Sequence, residues 1–74
     1  MWTETITFNV EQCGGKPCVR GMRIRVTDVL ELLANGLSID EIITNELPDL
    51  IYTDVIACLN YAVAKLNHPV LKVA

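Results

Sequence analysis

The middle of this 74-residue chain lacks charge of one sign: residues 26–64 hold seven acids and no Lys or Arg. With a net charge of −3, that excludes a protein that clings to nucleic acid over its whole surface, because phosphate binding is driven by clustered cations. There is one His and one Ser, so few sets of nucleophile, base and orienting group can be drawn, and the chain is read as non-enzymatic, with no catalytic residue and no cofactor. Cysteine is sparse and odd in number, which points to free thiols in an intracellular protein. Cys13, Cys18, Cys58 and His68 could be drawn together around zinc, but the short C-x2-C pairs of such sites are missing, so no metal site is assigned. No apolar run approaches the roughly 20 residues of a membrane span. The opening MWTETITFNV lacks the basic start and apolar stretch of a signal peptide, so a cytoplasmic location is expected.

What is present is apolar. At 51% hydrophobic residues the chain is above the ordinary level and is not disordered. A core of this size supplies only about 3–5 kcal/mol of net stability, and the chain carries more apolar surface than one small sphere hides. A homodimer, or an obligate partner, is therefore expected.

One domain spans residues 1–74: a β segment with a Gly-rich loop over 1–26, three helices within 27–66 and a C-terminal tail over 67–74. Residues 5–10 alternate with Ile6, Phe8 and Val10 on one side, the period of a half-buried strand. After the loop bearing Gly14, Gly15 and Pro17, residues 18–26 alternate Met22, Ile24 and Val26 with Arg23 and Arg25, predicting a second strand that Gly21 interrupts as a bulge or turn. Thr27 is the expected N-cap of a first helix with Val29, Leu30 and Leu33 buried, stopped by Asn35-Gly36 with Leu37 closing over it. Ser38-Ile39-Asp40-Glu41 is a capping box, predicting a second helix over 39–46 that buries Ile39, Ile42 and Ile43. Leu47-Pro48 breaks it, and a third helix follows over 53–66, its stripe drawn from Val55, Leu59, Ala62 and Leu66, widened by Ile56, Cys58 and Val63.

Two helices joined by a tight turn make the helix-turn-helix arrangement of many DNA readers, though most such pairs are only packing units. Four of the six basic residues, Lys16, Arg20, Arg23 and Arg25, lie within ten positions in the strand segment. The third helix offers only Asn60 before Lys65, so any nucleic-acid patch is expected on the strands. The alternative is that Arg23 and Arg25 are the solvated face of a strand, paired with acids such as Glu4 or Glu11.

At GGKPCVRGMRIRVTDVLELLANGLSIDEII, LPDL and DVIACLNYA the sequence resembles the small bacterial family known as domain of unknown function 433, over about residues 10–64. The resemblance implies a homeodomain-like helical domain with an N-terminal β segment. It also implies an antitoxin-like role beside a small PIN-like nuclease, and no catalytic residue. Met22 stands where the family often has Thr, and Arg25 where it often has Pro, which makes this strand more basic. Ile51-Tyr52 replaces a polar helix start and Ile56 a position often basic, which turns the third helix from DNA towards protein.

The expected function is thus a non-enzymatic antitoxin-like protein that dimerises and sequesters a PIN-like nuclease toxin, with operator DNA as a further partner. A structural or regulatory homo-oligomer with no nucleic-acid role is the alternative, and a metal-binding or redox module the third class. The partner or dimer interface is expected at Ile51, Tyr52, Ile56 and Val63 and, in the tail, at Val70, Leu71 and Val73. That tail could enter a partner's groove or return as an edge strand on its own dimer.

Overall fold

The computed structural model describes residues 2–8, 10–11 and 13–67. Two short strands, β1 (Ile6–Phe8) and β2 (Pro17–Val19), pair antiparallel with Ile6 opposite Val19, Thr7 opposite Cys18 and Phe8 opposite Pro17. Three helices follow: α1 (Val26–Ala34), α2 (Ile39–Glu41, continued over Ile42–Glu46 in a wider winding) and α3 (Tyr52–Leu66). The fold is mainly α, three helices after a β hairpin.

The sheet is shorter than the alternation predicts. Ile6 and Val19 are buried, but Phe8 is 56% and Val10 83% exposed, so the apolar side of the first segment serves the core only at Ile6. The second strand stops at Val19 rather than running to Val26. Arg20 and Gly21 both have positive φ (48° and 71°) and Met22 N–H returns to the Val19 carbonyl at 2.8 Å, the pattern of a type I′ turn. The chain doubles back so that Val19 N–H meets the Ile24 carbonyl at 2.9 Å and Arg25 bridges Cys18. Gly21 makes the turn that its place in the run predicts.

The first helix begins earlier than Thr27. Val26 is inside the helix and buried in the core, and the N-cap is Arg25, whose backbone N–H donates to the Asp28 carboxylate at 3.0 Å. Its end is as expected: Gly36 at φ 97° sends its N–H to the Leu33 carbonyl while Leu37 N–H reaches Leu32, the paired bonds of a Schellman stop. The capping box of α2 is present, with Ser38 N–H on the Glu41 carboxylate (2.7 Å) and Glu41 N–H on Ser38 Oγ (3.1 Å). Pro48 forces Leu47 out of helical geometry (φ −132°, ψ 71°), and the last turn widens so that Leu47 N–H bonds the Ile42 carbonyl five residues back.

The core consists of Ile6, Val19, Val26, Val29, Leu50, Val55, Ala57 and Cys58, with Trp2, Met22, Ile24, Leu30, Leu33, Ile39, Ile43, Leu47 and Tyr61 packed around it. It lies between the hairpin and the three helices. On α3 the buried face is Asp54, Val55, Ala57 and Cys58, so the expected stripe is only partly right: Val63 and Leu66 are 62% and 70% exposed. The core reaches Tyr61, against whose ring Trp2 packs edge-on at 4.8 Å, and the last turn of α3 runs past it.

The expectation of free thiols fails for two of the three cysteines. Cys13 and Cys18 are joined in a disulfide, their Cα atoms 6.3 Å apart, because a tight turn over Cys13–Gly15, all three at positive φ, folds the glycine loop back on β2. Cys58 is free and buried. No helix among the described residues is long and apolar enough to cross a membrane.

Candidate functional site

A two-point ion pair ties the β segment to α3. Arg20 grips Asp54 with two charge-assisted hydrogen bonds, Nε to Oδ1 at 2.9 Å and an η nitrogen to Oδ2 at 2.8 Å, and also donates to the Asp49 carbonyl at 3.2 Å. Asp54 is 2% exposed and accepts the Ile51 N–H at 3.0 Å, so one carboxylate caps α3 and anchors the turn before it. Burial pushes its pKa up, but the Arg20 hydrogen bonds, the Ile51 N–H and the guanidinium charge outweigh burial and hold it below the usual carboxylate range. The Arg20 pKa is correspondingly raised, first by the hydrogen bond to Asp54.

This explains how a non-glycine residue comes to sit at φ 48°, a conformation that costs of order 1 kcal/mol or more unless the surroundings impose it. Arg20 N–H is fixed to the Thr5 carbonyl at 2.6 Å, Gly21 N–H to Thr7 Oγ at 3.0 Å, and the side chain to α3. Sequence reasoning placed Arg20 in a phosphate-binding cluster and missed its partner. The available signal was position: Asp54 is the only acid in α3 and stands three residues after its N-cap, where a carboxylate serves the helix end.

The other expected cations have different surroundings. Arg25 pairs with Asp28 at 3.1 Å, not with Glu4 or Glu11, and both partners are partly exposed. Lys16 and Arg23 are exposed and make no ion pair among the described residues. Arg25 sits beside β2 through its bridge to Cys18, and Lys16 immediately precedes that strand. The four cations thus lie just before β2 and along the segment that follows it, and two of their guanidinium groups are engaged by carboxylates.

Of the expected interface residues, Ile51 is 57% and Tyr52 54% exposed, Ile56 is half-buried, and Val63 is exposed. Val70, Leu71 and Val73, like His68, lie outside the described residues. Phe8 adds an exposed ring beside Tyr61, centroids 6.1 Å apart, and Lys65 Nζ stands 5.4 Å from the centre of the Tyr61 ring. Among the described residues no group of three His, Cys, Asp or Glu side chains could hold a metal ion. Cys58 is withdrawn from thiol chemistry at neutral pH: burial, with the Asp54 charge adding to it, pushes its pKa up to about 12.

The model of the family described as Protein of unknown function (DUF433) matches residues 6–62, from the first residue of β1 through most of α3. The chain belongs to this family. The match starts ahead of the motifs that carry the resemblance and takes in Ile6 of the core as well as both partners of the Arg20–Asp54 pair. No curated protein and no solved structure matches the chain.

Proposed function

We propose that this DUF433 protein is a non-enzymatic, cytoplasmic antitoxin-like protein that dimerises and sequesters a PIN-like nuclease toxin, with operator DNA as a further ligand. The observation that carries this reading is the exposed apolar surface: Ile51, Tyr52, Val63 and Leu66 on α3 and its approach, with Phe8 and Val10 at the strand end. Among the described residues six large apolar side chains are more than half exposed, and such a surface stands to gain by being covered with protein. Sequestration is stoichiometric binding and asks for no catalytic group. The test is co-purification from the native host, followed by a ribonuclease assay of the co-purifying chain. The reading expects nuclease activity that falls to zero as this protein is added back to one equivalent. A co-purifying chain with no nuclease activity, or activity unaffected by excess, removes the toxin from the account.

A second reading, a structural or regulatory homo-oligomer without a nucleic-acid role, is favoured by the engagement of Arg20 with Asp54 and Arg25 with Asp28. Replacing Arg23 and Arg25 by Ala separates the two in a salt titration of duplex binding. The DNA reading expects weaker binding and a salt dependence flatter by about one unit of slope for each phosphate that the variant no longer neutralises. No binding by the wild type leaves the homo-oligomer.

A further inference from the structure

The face of α3 turned away from the core has a spacing of its own. Tyr52, Ile56, Leu59, Val63 and Leu66 step by 4, 3, 4 and 3 residues, the seam of a helix that packs along another helix. The core face, by contrast, centres on Asp54, Ala57, Cys58 and Tyr61 on the opposite side of the same helix, with buried Val55 at the edge between the two faces. Every member of the seam is apolar or aromatic. Three of them, Tyr52, Val63 and Leu66, are more than half exposed, and Ile56 and Leu59 are half-buried. No charge flanks the seam: Thr53, Asn60 and Asn67 lie along one margin, Val55 and Ala62 along the other. The two charges of α3 are both drawn to the core side, Asp54 by Arg20 and Lys65 by the Tyr61 ring.

We infer that this seam pairs with the α3 seam of a second copy of the chain, the two helices antiparallel. This deepens the dimer of the preceding reading and is independent of the nuclease and of DNA. A seam without flanking charge meets its own copy without like-charge repulsion, which two copies of a charged face could not do. A two-fold axis crossing α3 between Ile56 and Val63 makes the patch self-complementary, as a closed dimer requires. Orientation follows from the helix dipole: antiparallel α3 helices set the dipoles in opposition, whereas parallel ones would align them.

The test is the mass in solution of the full chain alone, by sedimentation at micromolar concentration, for the wild type and for Val63→Glu with Leu66→Glu. Both positions are exposed, so the far-ultraviolet circular dichroism of the variant should match the wild type. The wild type is expected at twice the mass of one chain and the folded variant at the mass of one chain. A dimer that survives both substitutions overturns the seam. A wild type that is monomeric overturns self-pairing and leaves this face to a different protein. Mixing Val63→Glu with Val63→Lys tests orientation: antiparallel copies hold the two positions 63 apart and the mixture stays monomeric, while recovery of a dimer overturns the antiparallel arrangement. None of these readings involves nuclease inhibition, so failure here and failure of the toxin reading are told apart.

Discussion

The outer face of α3 carries more apolar side chain than the core face, yet it is the core face that is buried. The core face is fixed from every direction: Val55 and Cys58 are fully buried, Tyr61 is packed by Trp2, and Asp54 is held by Arg20 from the β turn. The other face, from Tyr52 to Leu66, meets no comparable layer among the described residues. Hydrophobicity alone therefore does not say which residues the fold uses. What distinguishes the faces is that one has a polar anchor which sets the rotation of the helix. A buried carboxylate must find its partners, and here they lie in the turn after β2 and at the α3 N-terminus.

Reversing the character of the core face should have the largest effect. Val55→Asp buries a charge without a partner and costs more than about 4 kcal/mol, comparable with the whole stability of a domain of this size. The variant is expected to be unfolded by circular dichroism at 25 °C.

Removing the anchor comes next. Asp54→Ala should cost about 2–3 kcal/mol in urea unfolding, between the values for exposed and buried pairs, because Asp54 is buried while Arg20 is half-exposed. Asp54→Asn adds a pH signature. The folded-state pKa of Asp54 is depressed, so its stabilisation is complete above the unfolded value of about 3.9 and is lost as pH falls through the lower folded value. The stability gap between wild type and Asp54→Asn should hold steady from pH 7 to about pH 4 and close below it. A gap that stays open in acid would contradict the role assigned to the carboxylate.

A chemical probe sharpens the contrast without a mutation. With Cys13 and Cys18 joined and the Cys58 pKa pushed up to about 12, the native, unreduced protein should react slowly with a thiol reagent at pH 8 and release one fast thiol on unfolding. Fast reaction of the native protein would mean that the core face opens readily.

On the outer face the effect on the isolated chain is the smallest. Val63→Glu should change the unfolding free energy by less than about 0.5 kcal/mol when measured at concentrations where every chain is monomeric. A loss several times larger would show that Val63 belongs to the core after all.

These contrasts mark where the sequence was legible. Residues whose chemistry acts locally were read correctly: Ser38 with Glu41 at the start of α2, Asn35-Gly36 at the end of α1, and Pro48 as the break before Leu50. Alternation misled at Met22, Ile24 and Val26, because nothing local reveals that Arg20, rather than a glycine alone, takes a left-handed conformation held from 34 residues away. The same long-range pair explains the misplaced α3 stripe. Helical spacing gives a wide apolar band around α3, and the part that turns inward is the part beside the anchored Asp54. At the candidate site, Ile51, Tyr52 and Val63 are exposed and Ile56 is half-buried. The pairing of Arg20 and Arg25 with Asp54 and Asp28 could not be read from charge clustering, which counts cations and is blind to their partners.

The central claim is that one face of α3 builds the fold and the other binds a second chain, and the concentration dependence of the thermal midpoint tests it most directly. Association of folded chains raises the apparent Tm by mass action. The account predicts a wild-type Tm that climbs with protein concentration and a Val63→Glu, Leu66→Glu variant whose Tm stays flat and meets the wild-type value at high dilution. A wild-type Tm independent of concentration, or equal slopes in the two proteins, would contradict it.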